Sequence, residues 1–245
     1  LSSGIVSSKK EELIANEISF DFIDQTKNIN YGGLTREEVM MLDVLANNQW
    51  KRGIYFSSPG GSEVSKKLIS NGHLADVGLA HVISPLKTEN SKKYFMDVKY
   101  NNLMKKYKYG EMFNENVLTD YYARRHTNQF RRFFYTLADE YLKEGDNKEN
   151  QDKAINLLKK SLQVMPPNIV IDGGEPGVSG ERYMTQYGQI SFYIDGNLAN
   201  HVSLFYKAKA TKEAEKLGLT VLEQKKKTLN YFIKSDPHFS YTEEN

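Results

Sequence analysis

The sequence predicts an α/β unit, a small sheet with flanking helices, followed by an all-α unit, with helix dominant overall. Three observations carry this. Up to about residue 110, short β-branched and aromatic runs alternate with helix-like stretches. Beyond Gly110, apolar residues recur at helical spacing over much longer stretches. The composition, 39% hydrophobic and 26% charged over 245 residues, is that of a globular chain with room for two modest domains. These fall at residues 1–110 and 111–245.

The elements follow in order. "EISFDF" (Glu17 to Phe22) alternates Ile18, Phe20 and Phe22 and reads as a strand. "LTREEVMMLDVLANN" reads as a helix with Thr35 as N-cap. Glu38, three residues on, completes a capping box, and Leu34 is placed to staple onto Val39. Val39, Leu42, Leu45 and Ala46 form the expected apolar face. "GIYFS" is a short strand. "GSEVSKKLISNG" is a helix capped by Ser62 and stopped by Gly72. "VGLAHVISPLK" is β-rich and ends at Pro85, "ENSKKY" is a turn, and "MDVKYNNLMKKYKYG" is a helix from Asp97 to Gly110. In the second unit, one helix carries Phe130, Phe133, Phe134, Leu137, Tyr141 and Leu142 on one side. "NQDKAINLLKKSLQVMP" is a second helix, the glycine-rich acidic loop Asp172 to Glu181 a connector, and "LANHVSLFYKAKATKEAEKLGLTVLEQKKKTLNYFIKS" one or two more helices.

Charge and cysteine usage narrow the function classes. A net charge of +2 gives no argument for nucleic acid as a partner. With no cysteine, the chain has no disulfide, thiol nucleophile or thiolate metal site. No apolar run approaches the roughly 18 residues that cross a bilayer, and no signal-like segment opens the chain. The opening "LSSGIVSS" lacks Met and reads as the start of a mature product or of a piece of something longer.

The helical half resembles a tetratricopeptide repeat. Phe134, Leu137, Ala138 and Tyr141 stand where the first helix of that repeat has its aromatic, leucine, small and tyrosine positions. Ala154, Leu158 and Ser161 keep the spacing of the second helix, and Pro166 takes the closing proline. The connecting turn "EGDNKENQDK" is about four residues longer than the consensus. A second repeat is suggested from about Tyr183 to Lys209.

"LTREEVMMLDVLANNQWKRGIYFS", followed by "YNNLMKKYKYG" and an Arg-rich helix, is similar to a second pattern. It resembles the soluble C-terminal region of a bacterial multi-pass membrane family, number 2723 among the domains of unknown function, related to protein O-mannosyltransferases. Gly53 stands where that family usually has Pro. The resemblance implies an extracytoplasmic (periplasmic) accessory domain of a membrane-embedded glycosyltransferase-like parent. Its catalytic carboxylate would lie elsewhere in that parent. The implied partners are a protein or a glycan, the transmembrane portion of the parent and, at an arginine stripe, anionic headgroups. No cofactor and no catalysis are expected of this chain. A free-standing scaffold that binds a partner peptide, and an enzyme with a pocket between the halves, remain as alternatives.

Three residue groups are candidates for contact. "SSPGGS" could offer amides near Ser58 and Ser62 to an anion at a helix N-terminus. No Walker lysine and no G-x-G-x-x-G accompanies it, which favours a plain strand-to-helix turn. Trp50, beside Lys51 and Arg52, could stack on a sugar or anchor the helix end. Arg124 with Arg131, and Arg125 with Arg132, are seven apart and would form stripes suited to phosphates, or a solvated helix face. The five histidines are scattered, and no zinc, calcium or hydrolase signature is present.

Overall fold

The structure is a computed structural model that describes residues 34–58, 61–114, 116–117, 121–167, 182–185, 188–191 and 197–234. The Glu17 to Phe22 run and the Asp172 to Glu181 connector lie outside the described residues. The chain divides into two compact units, Leu1–Asn102 and Leu103–Asn245.

In the first unit, α1 (Arg36–Asn48) starts at the expected box. The Thr35 amide donates to the Glu38 carboxylate at 2.9 Å, and the Glu38 amide to the Thr35 hydroxyl at 3.3 Å. The buried face is rotated from the expected one. Val39 is 52% exposed and Ala46 is exposed, while Met41, Leu42 and Leu45 pack on the core. The reason is the buried Glu38, which turns the 38–41–45 row inward.

A three-stranded antiparallel sheet follows, in the order β1 (Tyr55–Phe56), β3 (His81–Ile83), β2 (Leu74–Asp76). Helix α2 (Glu63–Ser70) lies between β1 and β2 in sequence, and its Val64 and Leu68 join Leu74 and Ile83 in one core cluster. Gly72, at a left-handed φ of 72°, ends the helical segment as expected and turns the chain into β2. Helix α3 (Thr88–Asn101) begins where a turn was expected. It absorbs "ENSKKY" through a kink at Ser91, whose φ of −133° breaks the helical ladder. It also stops short of Gly110 and passes into one π-helical turn, Asn102–Lys106. Buried Lys99 meets Asp76 at 2.5 Å and Asn102 donates to the Val77 carbonyl, which fixes α3 to the end of β2.

The second unit holds α4 (Tyr121–Glu144), α5 (Lys148–Val164), a hairpin of β4 (Arg182–Thr185) and β5 (Gly188–Ser191), α6 (Asn197–Lys207) and α7 (Thr211–Lys234). Helices α4 and α5 run antiparallel. Arg131 reaches Met165, and Tyr141, one helical stretch later, lies under Lys153. Phe134, Leu137, Ala138, Tyr141, Ala154, Leu158 and Ser161 are all buried, with small residues where the helices approach. Helix α6 runs parallel to α4, with Tyr135 against His201 and Asp139 against Lys207. The second helical pair is therefore α6–α7, not residues 183–209. Tyr183 lies in β4, in a stretch rich in aromatic and β-branched residues that suit a strand.

Candidate functional site

The loop before α2 has its anion built in. Glu38 accepts from the Thr35 amide of its own helix and, at 2.7 Å, from the Glu63 amide at the start of α2. One carboxylate thus serves two helix N-termini, where backbone donors lack helical partners. These two amides, first Thr35 and then Glu63, hold the Glu38 carboxyl below its ordinary range. The Ser62 hydroxyl accepts from the Ser65 amide at 3.1 Å, completing the cap. Ser58 is exposed, and Pro59 and Gly60 lie outside the described residues. Sequence reasoning placed Glu38 in the box of α1 but had no signal for its contact 25 residues on.

Trp50 sits at a left-handed φ of 58°, directly after Gln49 at 50°. Two consecutive non-glycine residues in this region are costly, and surrounding contacts must hold them there. The Trp50 ring packs against the Val64–Leu68–Leu74–Ile83 cluster. Asn48 donates to the Arg52 carbonyl at 2.7 Å, and the Lys51 amide to the Asn48 carbonyl. Lys51 and Arg52 project into solvent. At Gly53, a Cβ would stand 2.8 Å from the Tyr55 ring, which folds back over it.

The arginine stripe divides. Arg132 is exposed, but Arg131 is 0% exposed and its guanidinium donates to the Met165 carbonyl at 3.0 Å. Met165 is the C-cap of α5, so a cation there meets the negative end of that helix. A surface role for Arg131 is thereby excluded, because consecutive helical residues point about 100° apart. The side chains of Arg124 and Arg125 lie outside the described residues.

Beside Arg131 lies a cluster that sequence reasoning missed. His201, fully buried on α6, lies 3.0 Å from the Ser161 hydroxyl of α5 through Nε2 and 2.7 Å from the Asn197 carbonyl through Nδ1. The neutral ring satisfies both contacts: Nδ1–H donates to the carbonyl, and Nε2 accepts from the serine. Burial, with Arg131 nearby, lowers the His201 pKa to about 4. A serine beside a histidine can be nucleophile and base. Here both side chains are closed to solvent and the histidine's other partner is a backbone carbonyl, so the pair ties α6 to α5.

One exposed surface of this unit, among the described residues, lies where α4 and α6 run side by side. Arg132, Thr136, Asp139 and Lys143 form one row, and Asn200, Ser203 and Lys207 the facing row. Asp139 binds Lys143 at 2.5 Å and Lys207 at 3.3 Å, and these hydrogen bonds outweigh burial to lower its pKa. Both lysines remain more than half exposed. The face is polar and carries more positive than negative charge. Among the described residues, no group of His, Asp and Glu side chains is placed to hold a metal ion.

Residues 1–106, less than half of the chain, match the family model described as TMEM260-associated domain 2. This match supports a domain associated with a membrane protein. No curated protein and no solved structure matches the chain. No helix among the described residues is long and apolar enough to cross a membrane.

Proposed function

We propose that this chain is a non-catalytic, extracytoplasmic accessory domain of a membrane-embedded glycosyltransferase-like protein, and that it recognises a protein partner through the α4–α6 face. The observation that carries the reading is that face. Two parallel helices, backed by α5 and α7, leave facing rows of exposed polar side chains, Arg132, Lys143, Asn200, Ser203 and Lys207. Interfaces of this kind draw on arginine and on hydrogen-bonding groups held by a rigid frame.

The tetratricopeptide-like assignment is supported by the antiparallel α4–α5 pair and by α6 alongside α4. The membrane-protein context is supported by the match over residues 1–106. The glycosyltransferase parent and the extracytoplasmic side rest on the resemblance of Leu34 to Ser57 to the family described above.

Incubation of the purified chain with lipid-linked sugar and acceptor peptides tests the non-catalytic part. No transfer and no hydrolysis is expected. Turnover that disappears in Ser161→Ala or His201→Gln, with the helical spectrum retained, would contradict the proposal.

A further inference from the structure

The segment after α3 carries a surface that the α4–α6 reading does not use. Lys105 and Lys106 end the π-helical turn, Lys108 follows, and all three are exposed. Between them and the next turn, Tyr109 is buried. Its hydroxyl donates to the Leu103 carbonyl at 2.6 Å, and its ring packs on Phe130 and Phe134 of α4 at 5.6 and 5.7 Å. Leu103 is itself 0% exposed. The stretch from Leu103 to Tyr109 is thus closed on itself and pinned to α4 through Tyr109, with its lysines left outside.

Gly110, at a φ of 61°, then redirects the chain. The turn that follows is closed by the Asn114 amide on the Glu111 carbonyl. It leaves Phe113 53% and Val117 41% exposed. Large apolar side chains held in water a few residues along the chain from exposed lysines match what the interfacial zone of a bilayer takes up. There an aromatic ring sits at headgroup depth and ammonium groups reach lipid phosphates. A protein partner would ask for a broader apolar centre than two side chains. A bilayer needs only shallow insertion and opposite charge. Exposed Glu111 offsets part of the lysine charge, so the contact is a weak second signal of the kind that assists a chain already held at a membrane.

We propose that Lys105, Lys106 and Lys108, together with Phe113 and Val117, form a docking surface for an anionic lipid bilayer. Co-sedimentation of the whole chain with vesicles at millimolar lipid tests this. One set is phosphatidylcholine alone and the other contains about 30% phosphatidylserine, the charge that attracts basic segments. Binding is expected only to the anionic set and should weaken as salt rises. The triple variant K105S/K106S/K108S should lose roughly 100-fold in partitioning, about fivefold for each lysine. Phe113→Ser should weaken binding while leaving its salt dependence in place. Inorganic phosphate at matched ionic strength should not compete; competition would replace the lipid surface by a simple anion site and overturn the proposal. Binding to neither vesicle set, equal binding to both, or unchanged binding by the triple variant would overturn it as well.

Discussion

His201 can be protonated only at a cost, because burial and the Arg131 guanidinium both oppose a second charge. Its pKa is about 4 in the folded chain against an ordinary 6.5, so between those values the unfolded chain binds the proton and the folded chain does not. Stability from this group is therefore complete above pH 6.5 and is lost as the pH falls toward 4. The loss amounts to about 3 kcal/mol at roughly 1.4 kcal/mol per unit. Urea unfolding followed between pH 7 and 4 should show this loss, and His201→Gln should flatten it within that window. An unchanged slope in the variant would assign the acid sensitivity to carboxylates. At the same scale, Trp50→Ala removes the only tryptophan from the first unit's core. It should destabilise that unit by about 2 kcal/mol, below the full cost of a buried aromatic because the ring is only half-buried. The loss is read from the denaturant midpoint by circular dichroism.

Helices α1 and α2 of the first unit are joined through one carboxylate. Glu38→Gln keeps the side-chain length but weakens an acceptor that two helix N-termini share. The prediction is faster hydrogen exchange at the Glu63 amide of α2 as well as at Thr35. Thr35→Ala should disturb α1 alone, at about 1 kcal/mol. Equal exchange at Glu63 in wild type and Glu38→Gln would show that the two helices are capped independently. The local half of this arrangement was legible in sequence, because a capping box is a fixed three-residue spacing. So were the Ser62 cap, the Gly72 stop and the buried small and aromatic positions of α4 and α5, each set by periodicity over a few turns. The second role of Glu38 and the His201–Ser161 contact were not legible. They join residues 25 and 40 apart, and no local pattern encodes such partners. The start of α3 was missed for a different reason. Lys87 gives no side-chain cap, and the kink at Ser91 interrupts the periodicity that would have revealed the first turn. Arg131 illustrates the same limit: adjacent arginines look alike in sequence, yet one faces the core and its neighbour the solvent.

At the scale of the whole molecule, each compact unit has its own buried residues, and three buried polar groups among the described residues hold structure together. Glu38 closes helix ends, Arg131 caps α5 and His201 ties α6 to α5. In the second unit the rows on α4 and α6 stay exposed, and the central claim is that a partner binds there. Site-specific photocrosslinking in intact cells that produce the protein tests it most directly. A crosslinker at Arg132 or Ser203, on the face, is compared with one at Lys225, an exposed site elsewhere on α7. The account predicts a discrete crosslinked protein from the two face positions and none from Lys225. It also predicts loss of that product when Lys143 and Lys207 are replaced by Glu. The same products from all three positions, or no product from the face, would contradict it.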